Sequence, residues 1–234
     1  MRFLLIAFLA AVPTAALAQA PSPPSAAAAP ALDPAWKVPE VIAFMGLKPG
    51  QHVADIFSGR FAAPFAEAVG PKGKVYAILP AETVKLRPEK LSNMRALAAQ
   101  SPNIIVSADP IAAPLPKKLD AVFIRQNYHD LYDKFMGPAD VAAFNRAVYA
   151  ALKPGGVYVI LDHTAAAGSG ISATETLHRI DPDRVKADAL AAGFTFDGGS
   201  DVLANSADDH GKGVFDPAIR GRTDQFLLRF RKPK

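Results

Sequence analysis

Short apolar runs alternate along this chain with longer stretches of helical spacing, and polar, glycine- or proline-bearing turns separate them. Val41, Ile42, Met45 and Leu47 read as a short amphipathic helix that Lys48-Pro49-Gly50 stops. A strand is predicted at 52–56, a helix at 61–69 and a second strand at 74–78. Leu91, Met94 and Ala98 fit a helix within 87–100, ahead of a third strand at 103–107. The run at 119–124 reads as a fourth strand, and its nearly continuous apolar character suits a parallel sheet covered on both faces. Val141, Phe144, Val148 and Leu152 make a helical stripe ended by Pro154-Gly155-Gly156, and a fifth strand follows at 157–161. A helix at 182–192 ends at Gly193, and a sixth strand starts at 194–196. In the last strand, 224–230, Phe226, Leu228 and Phe230 share one face while Gln225, Leu227 and Arg229 share the other. That partial alternation fits an antiparallel member at the end of the sheet. The pattern predicts a single α/β domain with a doubly wound, mostly parallel sheet and no internal repeat.

Composition narrows the setting. Met1-Arg2, an apolar run from Phe3 to Val12 and the stretch Ala16-Leu17-Ala18-Gln19-Ala20 form a signal-peptide pattern, with cleavage expected after Ala18. The run is shorter than the roughly 20 apolar residues of a membrane span. Residues 19–34, rich in Ala, Pro and Ser, read as a stiff tether, and 35–234 as the domain. A periplasmic or secreted location is the expectation. Half of the 234 residues are hydrophobic, enough for a sizeable core, and the absence of cysteine excludes thiolate metal sites and cysteine nucleophiles. The net charge is +4 and the basic residues are scattered, apart from Arg229 to Lys234 at the carboxyl end, which gives no case for nucleic-acid binding.

Ligands of open α/β sheets bind outside the carboxyl ends of the strands. There the sequence places Asp55, Ser58, Gly59 and Arg60 after the first strand, Leu79-Pro80 after the second and Asp109 after the third. The fourth strand ends in Gln126-Asn127-Tyr128-His129-Asp130 and the fifth in Asp162-His163-Thr164. Four of the five histidines, His129, His163, His178 and His210, lie in or after such loops. Loops carry polar residues in any case, so each histidine is equally readable as ordinary loop chemistry.

The stretch Asp55-Ile-Phe57-Ser-Gly59-Arg-Phe61 after an apolar strand, with Leu152-Lys-Pro-Gly-Gly156 ahead of a later one, resembles the class I S-adenosylmethionine-dependent methyltransferases. Tyr128-His-Asp130, Asp162-His163, Leu177-His-Arg-Ile-Asp181 and the segment 215–226 resemble, within them, a group of exported predicted methyltransferases of bacteria. The resemblance implies a seven-stranded Rossmann-like sheet and S-adenosylmethionine as cofactor. It also implies methyl transfer to a small-molecule or exported acceptor. Asp55, Ser58 and Gly59 would then form the cofactor turn, Asp109 would meet the adenine amino group, and Asn127 would lie beside the cofactor. Tyr128, His129, Asp130 and His163 become the catalytic candidates, with Tyr128 orienting the acceptor and a histidine taking its proton. Phe57 and Phe61 stand at the family's first and last glycine positions and are expected to narrow the pocket. Leu79-Pro80 replaces the carboxylate that grips the ribose, with Glu82 nearby.

Three other readings stay open. The Tyr-His-Asp loop can simply brace the sheet edge. The scaffold can hold a different small molecule, with Arg60 pairing an anionic ligand. A divalent metal can use some of His129, Asp130, Asp162, His163 and His178, although no ligand pair has helical metal-site spacing and no metal is assigned.

Overall fold

In the computed structural model, residues 33–137 and 139–234 are described; the expected signal segment and nearly all of the tether lie outside them. The first helix, α1 (Val38–Met45), starts with Pro39 in its first turn and ends at the left-handed Gly46. Strand β1 (His52–Ile56) leads through a tight turn into α2 (Ala62–Val69), and β2 (Lys74–Ile78) into α3 (Ala81–Leu86) and α4 (Glu89–Gln100). Then come β3 (Ile104–Ser107), β4 (Leu119–Arg125), α5 (Val141–Ala151) and β5 (Leu152–His163). The short α6 (Thr174–Leu177), α7 (Pro182–Ala191), β6 (Thr195–Ser200) and β7 (Gln225–Arg231) complete the chain. Asp140 and Asp181 cap α5 and α7 by accepting from the Ala143 and Asp183 backbone N–H groups.

The seven strands form one sheet in the order β3-β2-β1-β4-β5-β7-β6. β1 to β5 pair in parallel, and β7 enters antiparallel between β5 and β6. On one face Val53, Val75, Phe123 and Val159 pack against Val41, Phe65 and Met94 of α1, α2 and α4. On the other, Ala54, Ile56, Val122, Ile124 and Ile160 meet Phe144, Val148 and Val185 of α5 and α7. Strand order reverses between β1 and β4, so the crevice beyond their carboxyl ends is where this architecture receives ligands.

Three details differ from the sequence reading. Residues 81–86 form a separate helix after Pro80, which has no N–H to leave unpaired at a helix start. Pro154-Gly155-Gly156 does not end the preceding structure outside the sheet but lies within β5, across a register shift between Leu119 and Ala121. Gly156 is required there, because a Cβ would lie 2.9 Å from the Lys153 carbonyl oxygen and 3.2 Å from that of Asp120. β6 continues to Ser200 through a bulge at Phe196/Gly198.

The crossover from β3 to β4, residues 108–118, contains no helix; Pro110, Pro114 and Pro116 interrupt any helical hydrogen bonding. The sheet face beneath it therefore bounds a cavity of about 330 Å³, lined by Ile56, Tyr76, Ile78, Asp109, Ile111 and Leu115 among others.

Candidate active site

The turn after β1 is built around a buried carboxylate. Asp55 is 2% exposed, and its Oδ2 accepts from the Ser58 hydroxyl at 2.6 Å and the Gly59 N–H at 3.4 Å. Burial pushes the Asp55 carboxyl up to about 6, against the pull of those two donors and the charge of Arg125. The Ser58 N–H returns to the Ile78 carbonyl, tying the turn to β2. Phe57 holds the left-handed backbone, φ 58°, that glycine adopts without cost. Gly59 needs no special backbone, and a Cβ there would meet nothing within 4 Å. Nothing in the protein itself asks for glycine at 59. Open space beside a backbone N–H is what an approaching ligand asks for.

The two phenylalanines do not both crowd that space. Phe61 is 2% exposed and stacks on Phe65 at 5.5 Å and Phe123 at 5.1 Å, within the core layer under α2. Its right-handed backbone at the start of α2 directs the ring toward the sheet. Phe57 joins the opposite layer with Ile78.

Above the turn sit two arginines and a tryptophan. The Arg60 guanidinium lies 4.0 Å from the Trp36 ring centre, and Arg125 lies 5.7 Å from both Trp36 and Phe61. Burial, with Arg60 close by, lowers the Arg125 pKa to about 10, so it stays a cation near neutral pH. Among the described residues neither guanidinium has a carboxylate partner within salt-bridge distance. Arg125 was not singled out in the sequence, where the fourth strand is read as ending at Ile124; the structure extends β4 to include it.

At the ends of β2 and β3, Leu79 is buried and offers no carboxylate. Glu82 is engaged elsewhere, accepting from the Ile111 N–H at 3.1 Å and so fastening the crossover loop. Asp109 is exposed at the rim of the cavity described above.

The ends of β4 and β5 form a second cluster. Side-chain alternation along β5 sends Asp162 to the α5 face and His163 to the α2 face. Asp162 is fully buried and grips His129 twice, accepting from its backbone N–H at 2.9 Å and facing its Nδ1 at 2.8 Å. The other ring nitrogen of His129 lies 3.1 Å from Asp130 Oδ1. Burial opposes charge on His129, but Asp162 and Asp130 outweigh it and raise its pKa to about 10. Burial alone would raise Asp162; the neighbouring His129 charge and hydrogen bond hold it below its ordinary value. His178 and Asp133 complete the group, all four ligand atoms of His129, Asp130, Asp133 and His178 lying within 4.8 Å of one another. Asp133 was missed in the sequence, since it follows a turn that periodicity does not resolve.

His163 stands apart. Its Nδ1 faces the Thr223 hydroxyl at 2.8 Å, and no protein group among the described residues bonds its Nε2. Burial and the charges of His129, Arg125 and Arg179 outweigh the pull of Asp162 and lower its pKa to about 4. Two expected roles change. Tyr128 is 0% exposed, accepts from Asn145 Nδ2 at 2.7 Å and donates to Asp188 at 3.2 Å, so it braces the core instead of orienting an acceptor. Its apolar ring gains more from the α5–α7 layer than from the open edge. Asn127 donates to Asp130, which engages its amide on the histidine cluster.

No family model matches the chain. It is 30% identical over 118 residues to the 6-hydroxytryprostatin B O-methyltransferase of Aspergillus fumigatus, a match covering 48% of this chain and 33% of that protein. The chain thus spans about a third of the curated relative. A SAM-dependent methyltransferase from Aquifex aeolicus superposes with a TM-score of 0.56 at 19% identity, over 83% of this chain and 88% of the other. The fold is that of the class I methyltransferases. The [4+2]-cyclase SpnF shares it, with a TM-score of 0.61 at 18% identity over 85% and 81% of the two chains. A methyltransferase fold therefore frames the site, while the chemistry has to be argued from the site itself.

Proposed function

We propose that the chain is an S-adenosylmethionine-dependent methyltransferase that acts on a small or exported acceptor. The observation that carries this reading is the β1 turn, in which Asp55 orders Ser58 and Gly59 and leaves open space beside Gly59 at the strand-order reversal. The residues present fit the cofactor in most of its parts. The cavity beside Asp109 has apolar walls and a carboxylate at its rim, which suits an adenine ring and its amino group. Arg60 and Arg125 offer two cations for the cofactor's carboxylate. The ribose hydroxyls lack the usual acidic partner, because Leu79 and Pro80 stand there. When bound, S-adenosylmethionine supplies an electrophilic methyl group.

The chain's own part is to position the acceptor and take its proton. His163 is the residue fitted for the second task. In the tautomer whose Nδ1–H donates to Thr223, Nε2 keeps its lone pair, and the lowered pKa keeps the ring neutral near pH 7. His129, held as a cation between two carboxylates, is the poorer base. The signal-peptide pattern expected at residues 1–18 supports an activity outside the cytosol.

A second reading is favoured by the missing ribose carboxylate and by the arginines around Trp36, which have no carboxylate partner among the described residues. It is a non-catalytic protein that holds another anionic small molecule on the same scaffold. Calorimetric titration of the purified protein with S-adenosylmethionine separates the two. Micromolar binding that Asp109→Ala weakens tenfold or more supports the enzyme; no heat at millimolar ligand supports the other scaffold role.

A further inference from the structure

We propose that His129, Asp130, Asp133 and His178 form a binding site for one zinc-class divalent cation, which staples the turn after β4 to the segment after α6. Imidazole and carboxylate are the donor set such cations take. Ligands of a tetrahedral zinc at about 2.0–2.1 Å sit roughly 3.3 Å from one another. His129 Nε2 and Asp130 Oδ1 are already 3.1 Å apart, and His178 Nδ1 is 4.0 Å from the same oxygen. With all four atoms inside 4.8 Å, side-chain rotations of less than an ångström or so close the shell.

Two independent features point to a ligand. Asp133 is 2% exposed, yet its buried Oδ1 has no hydrogen-bond partner among the described residues. Buried polar atoms are rarely left so, and Asp133 is one of the four residues of the cluster. The second feature is the support behind the cluster. His129 directs its Nδ1 at Asp162, leaving Nε2 for the cluster, and Asn127 holds the far oxygen of Asp130. A carboxylate behind a ligating imidazole and a fixed second oxygen are the outer contacts that orient metal ligands. A cation entering the site replaces the Nε2 proton of His129 and leaves the Nδ1–H on Asp162.

The His178 side chain is 33% exposed and opens the site to solvent, which provides an entry path. Its ring is set by a left-handed backbone, φ 53°, and by edge contacts with Phe215 and His129. Four protein ligands fill a tetrahedral shell, so the cation's role is structural. Two carboxylates balance its charge. The site shares no residue with the β1 turn, so it stands or falls apart from cofactor binding.

The test is zinc content and zinc titration of the purified protein, by elemental analysis, by calorimetry after chelator treatment, and by thermal unfolding with added zinc. The expected result is one equivalent bound, a higher unfolding midpoint with zinc, and affinity lowered about 10- to 100-fold or more by Asp133→Asn and by His178→Ala. His178→Ala removes a partly exposed side chain, so it serves even if Asp133→Asn fails to fold. Absence of stoichiometric zinc at 100-fold excess overturns the proposal. So does zinc binding that both variants leave unchanged, which would mark an unrelated surface site.

Discussion

Gly59 carries the sharpest residue-level claim. Its backbone is ordinary and its missing side chain faces open space, so a larger residue there burdens only a ligand. Gly59→Val is expected to shift folding stability by no more than about 1 kcal/mol. Cofactor titration of the same variant should show at least a tenfold loss; unchanged affinity would mean the ligand does not approach this backbone. The buried histidine pair makes a second claim at this scale. His129 is raised from 6.5 to about 10, so the stability it contributes is complete below pH 6.5 and fades as pH climbs toward 10. His163 is lowered from 6.5 to about 4, so it weakens the fold as pH falls through that interval. Denaturant unfolding across pH, with chelator present, should show His129→Gln flattening the alkaline decline and His163→Gln flattening part of the acid one. A variant that leaves its own limb unchanged would show that the charge assignment of that histidine is wrong. Legibility at this scale was uneven. Asp55 and Gly59 were readable because their spacing is local, whereas the inward turn of Tyr128 and the arrival of Asp133 depend on loop geometry that periodicity does not encode.

Among the elements, strands β1 to β5 were legible because a parallel sheet covered on both faces demands apolar runs, and those runs stand out between turns. The helix after Pro80 and the extension of β5 through Pro154-Gly155-Gly156 were not, because turn residues were read as stops where the sheet instead absorbs them in a register shift. The long connection from β6 to β7 is fixed by an ion pair that sequence spacing does not reveal. Arg179 is fully buried and donates to both oxygens of Asp208, at 2.8 and 3.1 Å, to the Thr164 carbonyl and to the Lys212 carbonyl. Asp208 in turn accepts from the backbone of His210 and Asp224. Removing one member leaves a buried charge alone. Arg179→Leu is therefore expected to cost about 3–5 kcal/mol in denaturant unfolding, and a loss under about 1 kcal/mol would show that the pair is not dry.

For the whole molecule, one sheet brings two chemically different groups to the same edge. On the α2 side are Asp55, Arg60, Arg125 and His163 around an open turn; on the α5 side, His129, Asp130, Asp133 and His178 are fastened by Asp162. The strand-order reversal explains why these residues, distant in sequence, converge. The crossover without a helix supplies the third part, the apolar cavity beside Asp109, and Glu82 holds that loop in place. The most direct measurement is a crystal structure of the protein grown with saturating S-adenosylhomocysteine. Density is expected with the amino-acid end beside Gly59 and the Arg60–Arg125 pair, and the adenine in the cavity at Asp109. Empty density at the β1 turn, or the ligand seated elsewhere, would contradict the methyltransferase reading.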